Sequence, residues 1–159
     1  RYGLRFIWCG SEERGLLGSK AYCQDEEALK KAVLNINLDM IGCIMGNFIA
    51  VCSTEEALTH YIQYMGLEKG LGIRVSQDVY KGVPAVSFAR ISPPNTGPIH
   101  NRYDTLALMS GEQLAADIEF LAAFTQRMAN AACCPVKKTI PDSVKEKLDI
   151  YLCRKRDKK

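Results

Sequence analysis

The sequence predicts an α/β domain with a mostly parallel sheet. Two observations carry this prediction: short apolar segments typical of strands recur along the chain, and segments with helical spacing of apolar residues lie between them. The length of 159 residues suits a single domain with a sizeable core. The apolar share of 47% and the charged share of 25% are typical of a globular protein.

The first elements follow from composition and charge. Residues 4–10, "LRFIWCG", are almost wholly apolar, which predicts a strand buried on both faces. Helices are expected over residues 14–23 and 25–33. The second, "DEEALKKAV", places acids in its first turn and lysines in its last, as the helix dipole favours. Residues 35–39, "NINLD", alternate between polar and apolar side chains and predict the next strand.

The alternation of strands and helices continues along the chain. "NFIAVCS" predicts a strand, and Thr54 and Glu55 open a helix that Gly70 and Gly72 end. "IRVSQDVY" and "VPAVSFARI" predict two more strands. "SPPNTGPIHNRYDT" is expected to be a loop, because its prolines and glycine interrupt ladders and helices. An amphipathic helix is predicted over residues 110–132. Its apolar face is expected to contain Leu114, Ile118, Leu121, Phe124 and Met128.

Charge and cysteine usage limit the partners and the location. The net charge of +3 is modest and much of it lies in the final "CRKRDKK", so no nucleic-acid partner is expected. No apolar run approaches the ~20 residues of a membrane span. The seven cysteines form no CxxC pair, which fits neither a disulfide framework nor a cysteine-zinc site. Reduced thiols in a cytoplasmic protein are the simplest interpretation.

The boundaries of the domain are predicted from composition. Residues 1–134 are expected to form the folded part, and residues 135–159 a basic tail that could form one short helix. The chain begins without methionine, directly at the first predicted strand. We therefore expect a fragment of a longer protein and keep secretion as an alternative location.

Candidate ligands follow the predicted strands. Glu12 and Glu13 come directly after the first strand, Asp39 ends another, and His100 lies with Asp104 in the loop after the last. In open α/β sheets, ligand sites lie beyond the carboxyl ends of the strands. Carboxylates and an imidazole that converge there are ligands for zinc or a related divalent ion.

Each candidate also has a plainer interpretation. Two acids at a helix start are often a solvated first turn that the helix dipole favours. An aspartate after an apolar run is often a turn former or a helix cap, and a histidine in a polar loop is usually solvated. His60 has no acidic neighbour at a strand end and is interpreted as a helix-surface or packing residue.

Four stretches jointly resemble one family. "RFIWCGSEERGLLGSKAY", "NINLDMIG", "GVPAVSFAR" and "IHNRYDT" are similar, in this order, to signatures of the zinc-dependent M28 aminopeptidases, the group that includes transferrin-receptor-like proteins and glutaminyl cyclases. The resemblance runs from Leu4 to about Ala131. It implies a phosphorylase/hydrolase-like three-layer α/β sandwich, of which this chain lacks the N-terminal strands. It also implies two zinc ions that activate a water for attack on the peptide beside a free amino terminus.

The resemblance implies a role for each matched residue. Glu12 falls on the general base and Glu13 on a ligand of one zinc. His100 falls on the histidine that shares this zinc, and Asp39 on a ligand of the other. Side chains of adjacent residues diverge at a strand-to-helix turn, so one glutamate can coordinate while the other moves a proton. Asp104 is expected to orient His100 or its loop rather than to bind metal.

The chain also departs from the family pattern. Two family ligands, a histidine and an aspartate that bridges both metals, precede the glutamate pair, whereas residues 1–11 contain no acid or histidine. We therefore expect a weak or absent dizinc centre in this chain alone. The stretch "SQDVYKGVPAV" is shorter than in relatives, and it helps to shape the substrate pocket, so the sequence leaves specificity open.

Three functions are compatible with this pattern. The first is a zinc-dependent exopeptidase of the aminopeptidase type, with peptides as substrates, of which this chain is the C-terminal portion. The second is a glutaminyl-cyclase-like acyltransferase with a single zinc, which would release pyroglutamate instead of amino acids. The third is a non-catalytic binding module, and the intact "SEE", "LDM" and "IHNRYDT" argue against it.

Overall fold

Four strands form a sheet at the centre of the structure. The computed structural model describes residues 1–54, 56–77, 83–92, 99–133 and 136–137. Its strands are β1 (Asn35–Asp39), β2 (Asn47–Cys52), β3 (Ile73–Gln77) and β4 (Ala85–Ile91). They lie in the order β1-β4-β2-β3; the β1–β4 and β2–β3 pairs are parallel and the β2–β4 pair is antiparallel. The predicted α/β class with a mostly parallel sheet is confirmed.

Helices lie before, between and after the strands. The α-helices of the described ranges are α1 (Leu17–Tyr22), α2 (Glu26–Lys31), α3 (Glu56–Glu68) and α4 (Gly111–Asn130), and short 3₁₀ turns cover Glu12–Arg14 and Leu106–Leu108. Asp25 and Ser110 cap α2 and α4, since each side chain accepts a hydrogen bond from the backbone amide three residues later. Helix α1 begins later than predicted because Gly15 and Leu16 have φ of 95° and 60°, which is incompatible with a right-handed helix.

The core joins one face of the sheet to helices α3 and α4. Alternate residues of β2, namely Phe48, Ala50 and Cys52, are buried on this face, as the period of a strand requires. The ring centroid of Phe88 lies 5.9 Å from that of Phe48 and 5.3 Å from that of Phe124. Helix α3 adds the buried residues Leu58, Ile62 and Met65.

The buried face of α4 differs from the predicted face at one position. Leu121, Phe124 and Met128 are buried as expected. Ile118, however, is 53% exposed, and Asp117 is 0% exposed in its place. Burial of a carboxylate is costly unless the group is paired, and Asp117 is paired with a buried arginine. The apolar periodicity therefore placed the wrong residue in the core.

The prediction of a buried strand over residues 4–10 is wrong. These residues join no sheet among the described residues. Their large apolar side chains are exposed, with Phe6 73% and Trp8 88% accessible to solvent, and these two rings stack on each other at 6.2 Å. A strand buried on both faces needs neighbours that pair with it and cover it. The described part of the chain supplies neither.

Some predictions fall outside the described residues. They concern Glu55 as the start of a helix, residues 78–80 of a predicted strand, residues 93–98 of the predicted loop and the tail beyond residue 137. The division of the chain at residue 134 and the cytoplasmic location stay predictions. In the part of the chain that the structure describes, no helix is long and apolar enough to cross a membrane.

Candidate active site

Asp39 stands at the edge of the sheet where the carboxyl ends of two strands meet. Strands β1 and β4 are parallel, and Asp39 lies opposite Ala89 in their register. Asp39 is exposed and is the last residue of β1. The chain turns directly after it, since Met40 has a left-handed φ of 48°. The carboxylate therefore lies at the edge where α/β sheets bind ligands.

The glutamate pair lies in the first 3₁₀ turn, which a strained residue precedes. Ser11 has a left-handed φ of 55°. Gly18 N donates a hydrogen bond to Gly10 O at 3.0 Å, and a Cβ atom on Gly18 would lie only 2.6 Å from that oxygen. A 3₁₀ helix has three residues per turn, so successive side chains point about 120° apart. The side chains of Glu12 and Glu13 are therefore expected to diverge, and their separate roles stay predictions.

His100 lies in a tight turn after β4 and has a left-handed φ of 63°. Asn101 shapes this turn: its Oδ1 accepts a hydrogen bond from Tyr103 N at 2.8 Å, and its backbone oxygen accepts one from Asp104 N at 3.1 Å. The Arg102 guanidinium lies 4.9 Å from the centroid of the Tyr103 ring. Asp104 thus contributes to the turn through its backbone amide, and an orienting role for its side chain stays a prediction.

Glu13 and His100 are in direct contact. His100 Nε2 lies 2.9 Å from Glu13 Oε1, and the two side chains remain 63% and 69% exposed, respectively. These are the two residues that the M28 resemblance assigns to one zinc ion. The contact brings a carboxylate oxygen and an imidazole nitrogen, both common zinc ligands, to one accessible point.

The donor types at this point fit zinc, but their number is small. Within the described ranges, no group of three or more His, Cys, Asp or Glu side chains is arranged to hold a metal ion. Neither Asp39 nor Glu12 therefore completes the Glu13–His100 pair as a third ligand. Catalytic zinc sites usually have three protein ligands, and the described residues do not form a complete site of this kind.

Backbone strain is concentrated around the same residues. Among the described residues, the non-glycine positions with left-handed φ are Ser11, Leu16, Met40 and His100. Ser11 and Leu16 lie on either side of the glutamate pair, and Met40 directly follows Asp39. His100 is itself a predicted site residue. Such conformations cost on the order of 1–3 kcal/mol each and tend to occur at functional sites. This pattern is independent of the motif resemblance and marks the same three segments.

Arg90 and Asp117 form a buried pair that no sequence motif indicated. Arg90 donates hydrogen bonds to both carboxylate oxygens of Asp117, at 2.7 and 2.8 Å. Asp117 also accepts a hydrogen bond at 3.0 Å from the backbone amide of Gly42, shortly after Asp39. An acid on an apolar helix face and an arginine inside an apolar strand are the signal that could have revealed the pair, since buried charges are usually paired.

Comparison with known proteins bears on the family and the fold of the chain. The sequence model of Peptidase family M28 matches residues 1–125. Among curated proteins, none matches the chain at a significant level. The crystal structure of a "putative peptidase" from Clostridium acetobutylicum is similar, with a TM-score of 0.60 and 14% sequence identity. This likeness covers 72% of the present chain and 30% of that chain. At such low identity it supports the fold.

The family match covers most of the chain and includes every predicted site residue. The α/β sheet and the similar solved structure are in accord with it. The chain spans about 30% of the length of that structure. This chain belongs to Peptidase family M28.

Proposed function

We propose that this chain is the C-terminal portion of the catalytic domain of a zinc-dependent exopeptidase that removes amino-terminal residues from peptides. The observation that carries the proposal is the 2.9 Å contact between Glu13 and His100. Membership of a peptidase family supports proteolysis as the reaction class. Because the chain spans about 30% of the similar structure, we assign the activity to a whole protein that contains it.

Glu13 Oε1 and His100 Nε2 are the proposed ligands of one zinc ion. Both side chains are exposed, so a cation has access to them and can replace their direct contact. The exposed contact between Glu13 and His100 contributes little to stability. A cation bound between the two side chains could therefore replace it at little cost in the free energy of folding. Bound zinc would supply Lewis-acid chemistry that makes a water nucleophilic near neutral pH.

Glu12 is the proposed general base. It lies in the same exposed 3₁₀ turn as Glu13, but its side chain points in another direction because of the periodicity of that turn. A carboxylate that binds no metal keeps its lone pairs free to accept a proton from the attacking water. Glu12 would then return this proton to the amine that leaves when the peptide bond breaks.

Asp39 is the proposed ligand of a second zinc ion. Its position at the carboxyl end of β1 and the strained residue beside it support this role. The remaining ligands would come from a part of the protein outside this chain, since residues 1–11 contain no acid or histidine.

The proposal is tested by peptide hydrolysis with the whole protein. We expect stepwise release of amino acids from peptides with a free amino terminus and no release from the same peptides after N-acetylation. A chelator should abolish this release and added Zn²⁺ should restore it. Formation of pyroglutamate from an N-terminal glutamine would instead support the acyltransferase alternative. Zinc binding without turnover of either substrate would support the binding module.

A further inference from the structure

One buried ion pair holds two glycines of the loop that joins β1 to β2, residues 40–46. Asp117 Oδ2 accepts a hydrogen bond from Gly42 N at 3.0 Å, and Arg90 Nη1 donates one to Gly46 O at 3.3 Å. Arg90 and Asp117 are themselves joined through Nη2–Oδ1 and Nε–Oδ2 hydrogen bonds of 2.7 and 2.8 Å. The pair thus connects β4, α4 and the loop. Its guanidinium and carboxylate have protein partners at most of their polar atoms, which is what a buried ion pair requires.

The loop fits closely against its surroundings. Gly42 and Gly46 have left-handed φ of 80° and 107°. A Cβ atom on Gly42 would lie 2.8 Å from Leu114 Cβ in α4, and one on Gly46 would lie 2.6 Å from the carbonyl carbon of Ile91. The loop therefore packs directly on α4 and on the end of β4. A shift of the Arg90–Asp117 pair would shift the loop with it.

The same loop is attached to the segment between His100 and α4. The contacts are Ile44 N to Leu108 O at 2.8 Å, Ser110 N to Gly42 O at 2.9 Å, and an antiparallel bridge between Cys43 and Met109. The loop that begins after Asp39 and the segment that follows His100 are therefore joined by backbone hydrogen bonds. The chain next to Asp39 and the chain next to His100 are thus both connected to the 40–46 loop.

We infer that the Arg90–Asp117 ion pair is a positioning device for the metal site, which holds the loop after Asp39 and the segment after His100 in one arrangement. The inference rests on the proposed function. Desolvation of two buried charges largely offsets their attraction, so apolar residues of similar size would stabilise the fold about as well. Apolar residues, however, could not hold the amide of Gly42 and the carbonyl of Gly46. The benefit of the charged pair is therefore geometric.

The experiment compares the whole protein that contains this chain with its double variant Arg90→Met/Asp117→Leu. The double substitution leaves no unpaired buried charge, whereas either single substitution would. Zn²⁺ affinity is measured by competition with a chromophoric chelator, and hydrogen exchange is measured at the amides of Ile44 and Ser110. We expect Zn²⁺ binding to weaken about 10- to 100-fold, as loss of groups that orient metal ligands typically does. We also expect both amides to exchange faster relative to those of the β2–β4 ladder.

A second arginine–carboxylate pair provides the matched control. Arg127 donates hydrogen bonds of 2.7 Å to each oxygen of Glu68 and joins α4 to α3, away from the loop. The equivalent variant Glu68→Leu/Arg127→Met should keep the Zn²⁺ affinity and the relative exchange of Ile44 and Ser110 unchanged. If the double variant at Arg90 does not fold, Arg90→Lys replaces it. A lysine keeps the charge, but its single ammonium lacks the planar fork that reaches Asp117 and Gly46 together. Zn²⁺ affinity should therefore fall, and the amides of Ile44 and Ser110 should exchange faster, by a smaller factor than in the double variant.

The outcomes separate this inference from the proposed function. Wild-type Zn²⁺ affinity in a folded variant at Arg90 would overturn the positioning role, and so would unchanged exchange at Ile44 and Ser110. If the whole wild-type protein binds no Zn²⁺, or if Glu13→Gln leaves its affinity unaltered, the proposed zinc site is wrong. In that case the exchange measurement alone decides whether the pair holds the loop.

Discussion

His100 Nε2 and Glu13 Oε1 lie 2.9 Å apart, although Glu13 precedes α1 and His100 follows β4. No local pattern in the sequence can bring these two residues together, so their contact is a product of the fold. Both side chains are largely exposed, and exposed ion pairs contribute little to stability. The contact therefore adds little to the stability of the fold, and its role in binding zinc stays a prediction.

The two adjacent glutamates should respond differently to the same substitution. In the whole protein, Glu12→Gln should lower kcat by a factor on the order of 10² to 10⁴, the usual contribution of a general base, while its zinc content stays near normal. Glu13→Gln should lose zinc, because a neutral amide is a poorer ligand than a carboxylate. Elemental analysis and turnover of the same samples provide the comparison. Equal loss of zinc in both variants would show that the roles are wrongly divided.

This chain alone should hold less than a full pair of zinc ions. Glu13 and His100 contact each other, whereas Asp39 belongs to no group of three ligands among the described residues. Elemental analysis after dialysis measures the stoichiometry, and His100→Ala should reduce it further because it removes one of the two adjoining donors. Two tightly bound zinc ions per chain would contradict the prediction.

Alanine at Gly46 should destabilise the protein more than alanine at Gly70. Gly70 has a left-handed φ of 65° and open space where a Cβ would lie, so Gly70→Ala should cost only the backbone strain, about 1–2 kcal/mol. Gly46 has a φ of 107°, and its Cβ would lie 2.6 Å from the carbonyl carbon of Ile91. The forced shift should add about 1–3 kcal/mol. Denaturant unfolding of the two variants measures the difference, and equal free energies of unfolding would argue against the tight packing of the 40–46 loop.

The Glu68–Arg127 pair should make stability depend on acid pH. The Arg127 hydrogen bond lowers the pKa of Glu68 below its ordinary value of 4.5. Because the folded-state pKa is the lower one, the stabilisation is present above the ordinary pKa and disappears as the pH falls through the lowered pKa. Wild type should therefore unfold at a slightly higher temperature than Glu68→Gln at neutral pH. The effect should be small, since both side chains are partly exposed.

Thermal unfolding from neutral pH to about pH 3 tests this prediction, because this range crosses the ordinary glutamate pKa. The two melting temperatures should converge at the acid end. Glu27→Gln is a suitable control, since Glu27 forms a more exposed ion pair with Lys30 within one helix. A difference between wild type and Glu68→Gln that grows on acidification would contradict the sign of the pKa shift.

Much of the fold could be predicted from local patterns. The alternation in "NFIAVCS" indicates a strand with Phe48, Ala50 and Cys52 on one face, and these residues are buried in β2. The acids and lysines of "DEEALKKAV" occupy the first and last turns of α2, which Asp25 caps. Such signals act within one or two turns of chain, so they can be read without knowledge of neighbouring elements.

The candidate site could be predicted in its residues but not in its geometry. Motif resemblance selected Glu12, Glu13, Asp39 and His100, and their roles stay predictions. Which of them meet in space depends on how the segments before α1 and after β4 approach each other. That approach is set by packing over the whole chain, and it joins Glu13 to His100 without bringing Asp39 into their contact.

The sequence by itself determined the order and type of the elements, the polar ends of the strands and the family to which the chain belongs. Only the tertiary structure decided that Asp117 instead of Ile118 is buried, that residues 4–10 lie exposed, and that Arg90 supports the loop after Asp39. The physical reason is that secondary structure follows from interactions between near neighbours, whereas burial and ion pairing depend on which distant groups share the same space.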